Sequence, residues 1–256
     1  MNSAILSPSW TLLGIEPFRA AFEYASCRLM DHSRFEAGDG HPVVVFPGLA
    51  ADAQTVSPLL EFCRRLGYDA RDWGRGLNTG PSGDIDAWID ALADEVEARY
   101  GDHEGGITLI GWSLGGIYAR EIAKRMSVPI RQVITIGTPI TGEAAQTNVS
   151  LLYRLLSGAL PVLEPGFKQR LMTAPPQPLT AIHSRSDGVV AWEACLQPAD
   201  HDSIENVEVD SSHCGLCWNP AVLGIIADRL AQAPEAWMPW QAASMKVPAL
   251  GLQTPQ

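Results

Sequence analysis

Ile107-Thr108-Leu109-Ile110-Gly111-Trp112-Ser113-Leu114-Gly115-Gly116 decides how this chain folds. An apolar, β-branched run leads into G-x-S-x-G, and a helical pattern from Leu114 to Met126 follows at once. A serine set between a strand and a helix occupies a sharp, strained turn, and the residues two places to either side must lack bulk. Gly111 and Gly115 meet that need, and Gly116 allows the helix to sit close to the sheet. The bare string is common as a simple turn. The strand–turn–helix setting is what marks Ser113 as a candidate nucleophile.

Outward from this turn, short apolar runs alternate with amphipathic stretches, the pattern of βαβ units and a mainly parallel sheet. Pro42 leads into Val43-Val44-Val45-Phe46, a buried strand stopped by Pro47-Gly48. Further strands are predicted at Tyr68–Trp73, Ile130–Gly137, Leu179–Ser184 and Val207–Asp210. Helices are predicted at Thr55–Leu66, from an Asp84 N-cap through Ile85, Trp88, Ile89, Leu92 and Val96, and from Pro220 to Ala231. Trp10–Met30 reads as a helix broken near Pro17 and peripheral to the core, and Pro234–Gln256 as a tail on the surface. The expected architecture is one three-layer α/β/α sandwich with a mostly parallel sheet. Its core spans about 42–233, an N-terminal segment 1–41, a cap insertion about 140–178 and a tail 234–256.

Bulk properties narrow the function. With 256 residues, 46% apolar and 18% charged, the chain is an ordinary globular protein. Its formal charge of -11 opposes broad binding to nucleic acid or anionic lipid, because phosphate is repelled. No apolar run approaches the roughly 20 residues needed to cross a bilayer. Met1–Leu13 lacks the basic and apolar regions of a signal peptide, and the five cysteines are odd in number, so a cytoplasmic location is expected.

A serine nucleophile needs a base. His213 follows the last strand and precedes the last helix, whereas His32, His41 and His103 precede the serine in predicted surface turns. His183 lies within a predicted strand and His201 in a polar loop. The base needs a carboxylate to hold its tautomer. Asp187, in Ser184-Arg185-Ser186-Asp187-Gly188, follows a strand and precedes a turn glycine; Asp200, Asp202 and Asp210 are rivals. Backbone N–H groups of Leu114 and of Leu49, in Phe46-Pro47-Gly48-Leu49-Ala50, are the expected oxyanion donors.

Phe46–Leu49, Gly111–Gly115, the Asp187-Gly188 turn and His213 resemble the α/β-hydrolase superfamily, lipase and esterase branch, over roughly 42–233. The loop Trp73-Gly74-Arg75-Gly76-Leu77-Asn78 and the segment Ser212-His213-Cys214-Gly215-Leu216 are similar to a group of bacterial serine hydrolases. The family's frequent His-Gly before the oxyanion residue is Pro47-Gly48 here. The two usual extra strands before the first strong one are not evident, which implies the reduced fold of small lipases. The resemblance implies cleavage of a small acyl ester through Ser113, His213 and Asp187, with no metal and no organic cofactor. An acyltransferase or thioesterase with the same triad, or a binding protein on this scaffold, is the alternative. Oligomeric state is left open.

Three other features are weighed. Gly74–Gly80 looks like a dinucleotide fingerprint, but Pro81 and Ser82-Gly83 interrupt the helix it must open, so a loop near the pocket mouth is expected. Cys214 and Cys217 match C-x-x-C without a second pair, and read as two thiols packed at the start of a helix. Leu151, Leu152, Leu155, Leu156, Leu160, Val162 and Leu163 form either core packing or a small lid.

Overall fold

The computed structural model describes residues 7–141 and 165–241. Six strands form one sheet: β1 (Pro42–Phe46), β2 (Asp69–Asp72), β3 (Ile107–Trp112), β4 (Ile130–Ile136), β5 (Leu179–His183) and β6 (Ile204–Glu208). Their spatial order is β2-β1-β3-β4-β5-β6, and every pairing is parallel. The helices are α1 (Trp10–Arg28), α2 (Ser57–Arg65), α3 (Ile85–Tyr100), α4 (Leu114–Ala123), α5 (Pro165–Met172) and α6 (Pro220–Ala231). Among the described residues no helix is long and apolar enough to cross a membrane.

Period-2 alternation in buried strands divides the core in two. Val43 and Val45 of β1, Ile110 of β3 and Ile134 of β4 face α1, α2 and α6. Val44 and Phe46, Leu109 and Val133 face α3, α4 and α5. Both faces are therefore covered, as the unbroken Val43-Val44-Val45-Phe46 run requires. Each fully buried aliphatic side chain contributes about 1.5–3 kcal/mol. The result is the expected sandwich, with a sheet that is wholly parallel. Asp84 caps α3 as expected, accepting from the Ala87 N–H at 2.8 Å.

Four sequence expectations are corrected. The last strand starts earlier than Val207, because its inward position Glu205 is polar. That carboxylate is buried by an ion pair with Arg229 at 2.8 Å and a hydrogen bond from Thr180 Oγ1 at 2.7 Å. A paired charge in an apolar position hides the strand from a hydrophobicity pattern. His41 lies buried, with Nδ1 2.6 Å from Asp39 and Nε2 3.0 Å from Thr108 Oγ1, and not in a surface turn. Cys214 and Cys217 are free thiols in and beside a 3-10 turn that precedes α6, one loop earlier than a helix start. The apolar cap segment Leu151–Leu163 and residues 242–256 of the tail lie outside the described residues. The described part of the tail rests on the buried pair, Trp240 N–H donating to Glu205 at 2.6 Å and Arg229 Nη1 to the Met238 carbonyl at 2.6 Å.

The fourth correction concerns α1. It runs unbroken through Pro17, which sits on the exposed side, where water can meet a carbonyl that has lost its donor. Nor is it peripheral. Its inner face buries Glu16 and Glu23 while Trp10, Ile15, Phe18 and Phe22 face outward, the reverse of the usual amphipathic order. The helix packs so closely on the loop after β5 that a Cβ on Gly188 would lie 2.6 Å from the Leu12 carbonyl carbon.

Two glycine substitutions therefore have opposite expected signs. Gly188→Ala is expected to destabilise the protein by about 1–3 kcal/mol through overpacking against α1. Gly14→Ala, where an added methyl meets nothing within 4 Å, is expected to stabilise α1 by about 0.5–1 kcal/mol. Urea unfolding midpoints of the two variants check both.

Candidate active site

The strand order reverses between β1 and β3, since β2 lies outside β1 while β4, β5 and β6 extend the other way. The carboxyl ends of strands at such a reversal form the crevice where open parallel sheets place ligands. Ser113 stands at the end of β3 and Leu49 just beyond the end of β1.

Ser113 has φ 53° and ψ -121°, a backbone region that side-chain-bearing residues rarely occupy. The surroundings enforce it. Ser113 N–H donates to the Ile136 carbonyl at 2.8 Å, tying the turn to β4. A Cβ on Gly115 would collide with the Phe46 carbonyl, and one on Gly111 with the backbone of Gly115 and Gly116. The glycines thus let α4 start directly against the end of β1. Gly116 meets the Thr138 side chain in the same way.

Asp187 and His213 arrive from neighbouring strands. Asp187 sits in the turn after β5, where its Oδ1 accepts from the N–H groups of Val189 and Val190, both at 2.7 Å. Its other oxygen lies 2.6 Å from His213 Nδ1, with both side chains buried. A carboxylate at that distance holds the proton on Nδ1 and leaves the Nε2 lone pair available. The three rivals go elsewhere. Asp210 binds Arg19 and Ser186, Asp200 accepts from the Ala174 N–H at 2.9 Å, and Asp202 stands in the turn before β6.

His213 is fixed beside the Ser113 turn by Trp112, whose Nε1–H donates to the His213 carbonyl at 3.1 Å. The two rings lie 5.6 Å apart, centroid to centroid. From the opposite side, a Cβ on Gly137 would lie 3.2 Å from His213 Nδ1, which explains a glycine there. Burial lowers the imidazole pKa, but the Asp187 charge, its hydrogen bond and the more distant Glu16 charge outweigh it. The net effect raises His213 above its ordinary value of 6.5. The adjacent Cys214 thiol is pushed up to about 11, chiefly by burial and then by the same carboxylates, so it is not a thiolate at neutral pH.

The loop after β1 rests against this group: a Cβ on Gly48 would lie 3.2 Å from Ser113 Cβ and 3.1 Å from the Trp112 ring. Asn78 supports that loop from beneath. It is fully buried, its Nδ2 donates to the Pro47 carbonyl at 2.8 Å, and its backbone exchanges hydrogen bonds with Ala50 and Ala51 at 2.8 Å each. The clamp holds Ala50 at φ 60°. Neither the Leu49 N–H nor the Leu114 N–H has an acceptor among the described residues. Among those residues no group of three His, Cys, Asp or Glu is placed to hold a metal ion.

The structure thus joins Asp187 to His213 and sets His213 against Trp112, the residue before Ser113, while the loop bearing Leu49 rests against the same turn. Residues that sequence reasoning missed are Trp112, Asn78, Glu16 and Glu23. Asn78 stood inside the glycine-rich loop assigned to the pocket mouth; its only signal was a polar residue flanked by turn glycines. Glu16 and Glu23 stood seven residues apart on one predicted helix, which is the spacing of one face.

Residues 17–250 match the model of the alpha/beta hydrolase family. Pimeloyl-[acyl-carrier protein] methyl ester esterases of Shewanella woodyi and of a second Shewanella strain are 28% and 30% identical over 102 residues, 40% of this chain. That stretch is 37% and 36% of their lengths, so the chain matches little more than a third of these curated relatives. Lipase B of Aspergillus fumigatus superposes with TM-score 0.59 at 18% identity, over 79% of this chain and 56% of that one. An esterase of Pyrococcus furiosus gives 0.54 at 15% identity, over 77% and 84%. Identities this low speak for the fold alone. Strand order, the strained serine turn and the match over residues 17–250 agree: this chain belongs to the alpha/beta hydrolase family.

Proposed function

We propose that the protein is a serine hydrolase of carboxylic esters, with Ser113 as nucleophile, His213 as general base and Asp187 as its supporting acid. The observation that carries this reading is the buried 2.6 Å pair of His213 Nδ1 and Asp187, held by Trp112 next to the strained Ser113 turn. The names of the Shewanella relatives, of the fungal lipase and of the archaeal esterase support the ester class.

The chemistry follows from the parts. Ser113 Oγ attacks the ester carbonyl carbon as His213 Nε2 takes its proton, and the carbonyl electron pair moves to oxygen. Leu49 and Leu114 N–H groups are the donors for that oxyanion, and neither has a competing acceptor among the described residues. Collapse of the tetrahedral species breaks the bond to the alcohol, which leaves with the proton from His213. Water then repeats the sequence on the acyl-enzyme, releasing the acid and restoring Ser113. Asp187 orients His213 throughout and stabilises the imidazolium.

Four outcomes are expected. Hydrolysis of p-nitrophenyl esters of graded acyl length should be measurable in the wild type. In Ser113→Ala it should fall by about 10,000-fold or more, with the fold intact by circular dichroism. A folded wild-type protein that turns over no ester and takes up no fluorophosphonate would sink the proposal. Because the base must be neutral, kcat/KM should rise with pH along a limb whose midpoint lies above 6.5, matching the raised His213. Asn78→Ala should lower kcat about 10- to 100-fold by freeing the Pro47–Ala51 loop, an effect visible in steady-state kinetics with little change in KM.

A further inference from the structure

The loops bearing Asp187 and His213 leave different strands, yet they share one support. Glu16 of α1 is buried beneath them. Its Oε1 accepts from the Gly188 N–H at 2.8 Å and from the His213 N–H at 3.0 Å, and its Oε2 accepts from the Cys214 N–H at 3.3 Å. A single oxygen therefore joins the residue after the acid to the base itself. Among the described residues no cation pairs with this carboxylate. Its charge is met by backbone donors alone, an arrangement that is costly to bury unless every acceptor is used. Two turns along the helix, Glu23 does the same for the residue before His213. Its Oε1 accepts from the Ser212 N–H at 2.9 Å and its Oε2 from the Ser212 hydroxyl.

We propose that Glu16 is a positioning residue of the hydrolytic site, a buried anion that fixes the Asp187 and His213 loops to each other and sets a second negative charge behind the imidazole. This rests on the hydrolase reading above for its kinetic consequences, though not for its geometry. The charged and titratable groups around the pair are few. Glu16 and Glu23 face it from α1, Asp187 from the loop after β5, the Cys214 thiol from the 3-10 turn, and the Cys195 thiol from behind Asp187. Arg19, the nearest cation on α1, is engaged with Ser186 and Asp210. Both carboxylates favour the protonated imidazole, so removing the Glu16 charge lowers the pH at which His213 loses its proton.

The test uses the full chain carrying Glu16→Gln or Glu16→Asp, with two readouts. The first is the pH dependence of kcat and KM on a p-nitrophenyl ester. The second is the titration of the His213 ring protons by NMR in a Ser113→Ala background, which needs no substrate. In Glu16→Gln the histidine titration and the acid limb are expected to move down together by about half a pH unit or more. In the same variant kcat should fall about 10- to 100-fold and KM should change less than about twofold. Glu16→Asp keeps the charge with a shorter reach, so its titration should stay at the wild-type position while kcat recovers only in part. A folded Glu16→Gln with wild-type titration and kcat overturns the proposal. If Glu16→Gln does not fold, Glu16→Asp decides: a wild-type kcat there overturns it equally. Absent ester turnover in the wild type would instead strike the hydrolase reading and leave the NMR titration to judge Glu16.

Discussion

The rest of the site depends on one unfavourable backbone conformation. Ser113 at φ 53° and ψ -121° costs on the order of 1–3 kcal/mol, and it persists because its surroundings leave no relaxed alternative. The hydrogen bond from its N–H to Ile136 pins it to β4, while Gly115 passes against the Phe46 carbonyl where any side chain would clash. The chain can take no wider turn without separating β3 from α4. The same turn leaves the Leu114 N–H, which the helix cannot satisfy internally, without an acceptor among the described residues.

Around that turn, the fold places buried charge where backbone donors can meet it. Asp187 satisfies one oxygen with Val189 and Val190 and gives the other to His213. Glu16 and Glu23 take up the N–H groups of the following loops. Far from the crevice, Glu205 and Arg229 pair within the edge of the sheet and anchor the start of the tail. In each case a residue type that is rarely buried is tolerated because its hydrogen-bonding capacity is filled. The helix α1 can bury its two acids for this reason: each meets backbone donors inside.

Most of the sheet was legible because its strands obey simple periodicities. The runs at Val43–Phe46 and Ile107–Trp112 are apolar on both faces, as strands covered on both sides must be. The edge strand β6 was displaced in the sequence reading because Glu205 breaks its apolar register, and only its distant partners Arg229 and Thr180 make that position an inner one. His41 misread as exposed for the same reason. Its partners, Asp39 nearby and Thr108 on β3, stand on different segments of the chain, and no local pattern records the second.

The sequence by itself determined the strained serine turn, since the steric need for small residues around it is local and is written in five consecutive positions. It also narrowed the candidate acid and base to a few residues in loops after strands. Which carboxylate meets the histidine was decided only by tertiary structure, because β5 and β6 bring together residues 26 positions apart. The roles of Asn78 beneath the Pro47 loop and of Glu16 beneath the His213 loop were also decided there, the latter across 197 positions. The reason is physical. A hydrogen bond depends on distance and angle in space, and between segments remote in the chain those are set by how the layers pack.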